Sequence, residues 1–131
     1  MRGADTPMKP FAYALLRVIP RVDRGESVNV GVVLYCRQYD YLDLRAHVDA
    51  ARLAALAPDL DPGPVRSHVA ALTEVARGDA CAGALAQLPP SERFGWLVAP
   101  SSTIIQPSEV HTGLTDDPAA TLDRLMRSLV M

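Results

Sequence analysis

The sequence is poor in lysine, in net positive charge and in cysteine, and each shortage excludes a class of function. Lys9 is the only lysine among 13 basic residues, and the net charge is −2 over 131 residues. There is no excess of positive charge of the kind that binds nucleic acid or an anionic membrane. Only two cysteines are present, Cys36 and Cys81, which is typical of a reducing compartment. We therefore expect a cytoplasmic protein that binds neither nucleic acid nor membrane.

Long hydrophobic runs are also absent. The longest run without a charged side chain, residues 94–108, contains two prolines and falls short of the ~20 apolar residues that a spanning helix needs. Residues 11–19 are interrupted by Arg17, and no small-residue cleavage site follows, so they do not form a signal peptide. With 49% hydrophobic residues, the chain is not wholly disordered. We predict a flexible tail over residues 1–9 and one domain over residues 10–131.

The predicted fold depends on residues 25–36, GESVNVGVVLYC. A turn glycine is followed by β-branched and aromatic side chains, which predicts a strand. Alternation puts one apolar set on the same face of that strand: Val28, Val30, Val32, Leu34 and Cys36. The other face is mixed, and Gly31 indicates close approach by a backbone or a ligand. The first face is predicted to cover the core, and the second to be free for contacts.

The rest of the chain changes from strands to helices. Residues 11–19 and 41–47 predict strands on either side of the central one, and residues 103–106 predict a fourth. Residues 107–115 are predicted to be a loop. Helices are predicted over residues 50–57, after Asp61, over residues 91–97 and after Asp117. The predicted fold class is α+β, an antiparallel meander sheet of about four strands with helices packed on one face.

Two stretches resemble one known family. Arg17, Pro20 and residues 25–33 form the first, and residues 93–108 (RFGWLVAPSSTIIQPS) with residues 111–118 (HTGLTDDP) form the second. They are similar to domain-of-unknown-function family 3037, small single-domain bacterial proteins. The resemblance implies no reaction. Some members are encoded beside kinases resembling the HipA toxin kinase, which implies such a kinase as a partner and transfers no catalytic residue. Gly95 departs from the larger polar side chain that the resemblance leads us to expect.

His111 and Thr112, ahead of the last helix, are the first candidate ligand-binding residues. A histidine in a polar loop can act as acid, base or ligand. The alternative is that His111 only fixes the loop by a hydrogen bond to the backbone. Ser102, in a run of three hydroxyl residues, could supply a nucleophile with His111 as its base. However, no nucleophile-elbow pattern surrounds it, and such hydroxyls usually satisfy backbone groups.

Arg17, Glu26 and Asn29 are the other candidates. Arg17 and Glu26 stand on either side of the first hairpin loop, which predicts an ion pair. Alternatively, Arg17 and Asn29 line a polar pocket for a carboxylate or phosphate together with Arg37. The three histidines lack the close spacing of a metal motif, so we expect no metal and no cofactor.

Phe94 and Trp96 are predicted to lie in the core or an interface, since no aromatic ladder accompanies them. Two functions remain open, and so does the question whether the protein is an enzyme. The first is a non-enzymatic interaction or accessory protein that acts as a homodimer or with another cytoplasmic protein. The second is a small enzyme or ligand-binding protein with a pocket of His111, Arg17, Glu26 and Asn29. A cleft joining Asn29 to His111 would favour the second, and a flat apolar patch at Trp96 the first.

Overall fold

Five strands and four α-helices are present in the computed structural model, which describes residues 7–101 and 103–131. The strands are β1 (Lys9–Val18), β2 (Val28–Cys36), β3 (Tyr41–Ala46), β4 (Ile105–Pro107) and β5 (His111–Thr115). The helices are α1 (Ala50–Leu56), α2 (Pro62–Arg77), α3 (Pro90–Leu97) and α4 (Pro118–Leu129). The predicted α+β class and antiparallel meander are confirmed. Most of the predicted tail lies outside the described residues, and β1 begins two residues before its predicted start.

β1 is the strand to which three others pair. Its inner side pairs with β2, which pairs in turn with β3. Its outer side is divided, because β4 pairs with its last three residues and β5 with its first five. β5 occupies a stretch predicted to be a loop. Its residues, HTGLT, have few strong strand formers, and the strand forms because β1 offers an unpaired edge that local propensity does not report.

A β-bulge in β2 changes which face of the sheet the side chains of this strand point to. Leu16 lies opposite Gly31 and Arg17 lies opposite Asn29, so Val30 is the extra residue. An extra residue reverses the alternation beyond it. Val28 and Val30 therefore face the same side as Val33, and Val32 faces the other. The prediction that Val28, Val30, Val32, Leu34 and Cys36 share one face is corrected by this bulge.

Helices cover both faces of the sheet. On one face, α2 and α3 bury a cluster that includes Val33, Leu44, Val69, Phe94 and Ile105. On the other, α4 buries a second cluster. Its fully buried members are Phe11, Val32, Leu34, Cys36, Leu122, Met126 and Val130. The predicted packing of all helices on one face is thus replaced by three layers. Each large apolar side chain buried in this way contributes about 1.5–3 kcal/mol before entropy is subtracted.

The starts of α2 and α4 follow the predicted capping signals. Asp61 Oδ1 accepts the Gly63 N–H at 2.9 Å, and Pro62 occupies the first turn of α2. Asp117 Oδ1 accepts the Ala120 N–H at 3.2 Å at the start of α4. Such caps satisfy N–H groups that have no partner within the helix. They determine where α2 and α4 begin.

Candidate functional site

Arg17 lies on the face of β1 that α4 covers, between its register partners on neighbouring strands. Those partners are Asn29 on β2 and Gln106 on β4. The Arg17 side chain is half-buried, and its buried Nε has no hydrogen-bond partner among the described residues. Arginine Nε–H is a strong donor. The arrangement leaves Arg17 able to bind an acceptor, although no described acidic side chain pairs with it.

The predicted ion pair between Arg17 and Glu26 is not formed. Glu26 is exposed in the β1–β2 loop, and its Oε1 lies 2.5 Å from Arg24 Nε. The hydrogen bond that Arg24 donates to Glu26, together with the negative charge of Glu26, raises the pKa of Arg24. A partner two residues away is reached without ordering the loop, so the local pair forms in preference to one across the hairpin.

Asn29 has a structural partner. Its Nδ2 donates to the carbonyl oxygen of Leu129 at 2.9 Å. This carbonyl belongs to the last turn of α4, where carbonyl groups lack partners within the helix. Asn29 therefore connects β2 to the end of α4, and it also lines a shallow groove with Arg52.

His111 lies on β5 and not in a loop. Its ring faces Tyr13, with ring centroids 5.2 Å apart, and its Nε2 is 3.6 Å from Glu109 Oε1. The side chain is 43% exposed. Thr112 follows it and is exposed on the opposite face, beside Ala12 of β1. The described neighbours of the His111 ring are thus an aromatic ring and a carboxylate rather than a backbone group, and its role as acid, base or ligand stays a prediction.

The structure does not bring the four predicted pocket residues together. His111 is in register with Tyr13, four residues along β1 from Arg17, which is roughly 13 Å at the rise of a strand. Glu26 and Asn29 line two separate grooves. The cleft from Asn29 to His111 that would have favoured an enzyme is therefore not formed by these residues.

The hydroxyl-rich segment before β4 uses its side chains to hold the backbone. Gln106 Oε1 accepts the Ser101 N–H at 3.0 Å, and Ser101 Oγ lies 3.2 Å from Thr103 Oγ1. Ser108 Oγ accepts the Leu15 N–H at 2.8 Å and donates to the Glu109 carbonyl. Ser102 lies outside the described residues. The hydroxyls that the structure does describe have backbone-fixing roles, as the alternative interpretation of the sequence expects.

Phe94 and Trp96 have different surroundings although they are two residues apart. Phe94 is buried, with its ring centroid 5.4 Å from that of Tyr35, and belongs to the core. Trp96 is 47% exposed and borders a cavity that His68 of α2 also lines. The sequence analysis named Trp96 as a core or interface residue, and it assigned no site to His68. Their meeting depends on the path of the chain after α3, for which the sequence gives no signal.

The two outer edges of the sheet, β5 and β3, have backbone groups that point away from their neighbouring strands. Pro10 has no N–H, so its pair with Leu114 is one without backbone hydrogen bonds. The backbone groups of Thr112 and Leu114 therefore point away from β1, and we call this the open edge. On β3, the His47 N–H bonds the Val30 carbonyl. By alternation, Leu44 and Ala46 point outward, and we call this the protected edge.

Among the described residues, no group of three His, Cys, Asp or Glu side chains could hold a metal ion. Within the same residues, no helix has the length and apolar character needed to cross a membrane.

A match to a known family covers nearly the whole fold. The sequence profile of a family described as a protein of unknown function, DUF3037, matches residues 13–130. The chain belongs to the DUF3037 family. The family description names no activity. Neither the comparison with curated proteins nor the comparison with solved structures found a match. The predicted resemblance is confirmed, and the function has to be argued from the geometry.

Proposed function

We propose that the chain is a non-enzymatic interaction or accessory protein of the cytoplasm, and that it acts as a homodimer joined along the open edge. The observation that carries this proposal is the chemistry of that edge. β5 contains no charged side chain apart from the titratable His111, and Leu114 is 61% exposed. An unpaired, uncharged strand edge is a template for pairing with another chain.

The protected edge has the features that prevent such pairing. Asp43 Oδ1 accepts the Leu44 N–H at 2.8 Å, and this N–H is one that points outward. The same oxygen accepts Arg77 Nε at 3.0 Å. Arg45 of the same strand pairs with Asp123 of α4. Charges and occupied donors of this kind blunt an edge strand, and this contrast favours the β5 side as the contact surface.

A second copy of the chain suits the open edge for a geometric reason. Two identical strands can pair antiparallel about a two-fold axis, which closes the assembly at two subunits. The outward groups of Thr112 and Leu114 would then bond the backbone of the partner strand. The exposed side chains of Leu114 and Val110, the latter 43% exposed, would add apolar area beside the ladder. Main-chain bonds supply affinity in this mode of recognition, and side chains supply specificity.

A kinase resembling HipA is the second occupant that we propose for the same edge. It is the partner implied by the family resemblance, and strand addition makes few demands on the sequence of the incoming strand. The alternative function, a polar pocket of Arg17, Glu26, Asn29 and His111, gains no support from the positions of these residues.

The test compares Thr112→Pro with wild type and with Ala46→Pro. Proline removes an N–H group, and at both positions that group points away from the neighbouring strand. Thr112→Pro should therefore block the open edge without breaking the β1–β5 ladder, whereas Ala46→Pro alters only the protected edge. Light scattering should give wild type and Ala46→Pro twice the chain mass of 14.1 kDa, and Thr112→Pro the mass of one chain.

The proposal has clear ways to fail. A wild type that stays at the mass of one chain at every concentration would remove the homodimer. A dimer that persists in Thr112→Pro would place the contact elsewhere. Leu114→Arg provides a second variant, because it adds charge to the edge without altering the backbone. Circular dichroism melts of all variants establish that each is folded.

A further inference from the structure

A cavity of about 400 Å³ lies between α2, the end of α3 and β4. Its walls include Leu16, Leu72, Ala99 and Ile105, with Trp96 and His68 as the two ring-bearing polar groups. A second cavity of about 210 Å³ shares His68 and Ile105 with the first. Pockets that hold small molecules have volumes of roughly 300–1,000 Å³ and mostly apolar walls with a few polar groups. The larger cavity meets this description.

The charge of the walls limits the ligand. No side chain lining the larger cavity among the described residues carries a formal charge. An ionic ligand would lose hydration there without gaining a counterion, which is costly. The cavity therefore favours a neutral molecule.

The free polar groups limit the ligand further. The hydroxyls of Ser101 and Thr103 are 3.2 Å apart, and Thr103 Oγ1 donates to the Ile105 carbonyl at 3.1 Å. In contrast, the His68 imidazole and the Trp96 indole N–H have no hydrogen-bond partner among the residues that the structure describes. Trp96 lines the cavity and is only partly buried, and an aromatic side chain of this kind can stack with a planar ligand.

We propose that this cavity binds a neutral, planar heteroaromatic ring that stacks on Trp96 and hydrogen-bonds to His68. The flat shape follows from the indole wall, and the ring heteroatom from the unpartnered imidazole. The site is independent of the proposed dimer, because none of the residues that line it belongs to β5.

Trp96 makes the proposal directly measurable because it is the only tryptophan. The full chain labelled with ¹⁵N gives one indole N–H signal in an NMR spectrum. Titration with adenine and with indole should move this signal saturably. Benzoate, which has a ring but carries a negative charge, should bind roughly tenfold more weakly.

Three folded variants locate the site. His68→Leu replaces the imidazole with an apolar side chain of similar size. It should weaken adenine binding about tenfold, since one hydrogen bond is lost. Ala99→Phe should fill the cavity and abolish the shift. Thr112→Pro, at the open edge, should bind adenine like wild type.

Several outcomes would overturn the proposal. If neither adenine nor indole moved the Trp96 signal saturably, the cavity would not be a ring-binding site. The same conclusion would follow if folded Ala99→Phe bound adenine as wild type does, or if benzoate bound as tightly as adenine. Unchanged affinity in folded His68→Leu would remove His68 from the site and overturn the ligand class assigned through it.

Discussion

The two edges of the sheet are similar in length but opposite in chemistry. β3 has six residues and β5 has five. On β3, the half-buried carboxylate of Asp43, 18% exposed, occupies an outward N–H and holds Arg77. On β5, Thr112 and Leu114 present their backbone with no charged neighbour on the same strand. The protected edge thus has an acidic side chain that occupies an outward N–H, whereas β5 contains no acidic residue.

The largest expected effect tests whether both faces of the sheet are covered, which would leave only its edges for contact with a partner. Val32 and Val33 are fully buried on opposite faces of β2. Val32→Asp and Val33→Asp should each destabilise the protein by about 3–5 kcal/mol, because each buries an unpaired charge. Urea unfolding of both variants measures this. Thr112→Asp is the exposed control and should cost under about 1 kcal/mol.

If Val32→Asp were tolerated, the comparison of the edges would lose its basis. The face under α4 would then be accessible, and a partner could bind there instead. Sequence alternation alone predicts a different result, in which the two valines differ clearly. It fails because it assumes helices on one face only, whereas α2 and α3 cover Val33 and α4 covers Val32. Which faces of a sheet are covered depends on where distant helices pack, and the sequence of one strand does not contain that information.

Much of the fold could nevertheless be predicted from local chemistry. The turn at Gly25, with φ +71°, and the caps at Asp61 and Asp117 occur where the sequence indicated them. These features depend on a few adjacent residues. In contrast, β5 pairs with a strand about 100 residues earlier in the chain. The cavity at Trp96 is formed with His68, about 30 residues away. No local sequence pattern predicts contacts between segments so far apart.

The candidate site was less predictable for the same reason. Arg17 and Asn29 lie opposite each other because the hairpin pairs β1 with β2, and the pocket predicted for them stays a prediction. Glu26 was associated with Arg17 although Arg24 lies nearer in the chain. His111 was assigned to a loop because its glycine-containing neighbourhood does not favour a strand. Residues that meet only through tertiary pairing require the fold to be known first.

The second variant, Asp43→Ala, should convert the protected edge into an open one. Asp43→Ala frees the Leu44 N–H and removes the partner of Arg77, which should cost about 1–2 kcal/mol. A protein with two open edges can add copies at both, so closed dimers should give way to longer assemblies. Sedimentation velocity should therefore detect species larger than the dimer.

Asp43→Asn is the matched control for this experiment. Its amide oxygen can still accept the Leu44 N–H while the negative charge is lost. It should remain a dimer if the occupied N–H protects the edge. Larger assemblies in Asp43→Asn would assign the protection to charge, and dimers alone in Asp43→Ala would contradict the comparison of the two edges.

The smallest expected effect is a loss of stability at high pH at the protected edge. Burial, followed by the charge of Asp43, raises the pKa of Tyr41 at the start of β3. A group with a raised pKa in the folded state contributes stability below its ordinary pKa of about 10. That contribution is lost as the pH rises through the raised value. Melting temperatures in an alkaline pH series should fall less steeply in Tyr41→Phe than in wild type, and parallel curves would exclude this role.

The division of the outer side of β1 between β4 and β5 has a consequence for synthesis on the ribosome. Residues 9–46 can form β1, β2 and β3 as soon as they emerge, whereas β5 ends at Thr115. At about 5–20 residues per second, the first strand waits roughly 3–14 s for its last neighbours. During that interval both its outer backbone and the apolar surface later covered by α4 are uncovered. The nascent chain is thus most open to aggregation while residues 47–115 are being added, and codon choice over that stretch should influence the yield of folded protein.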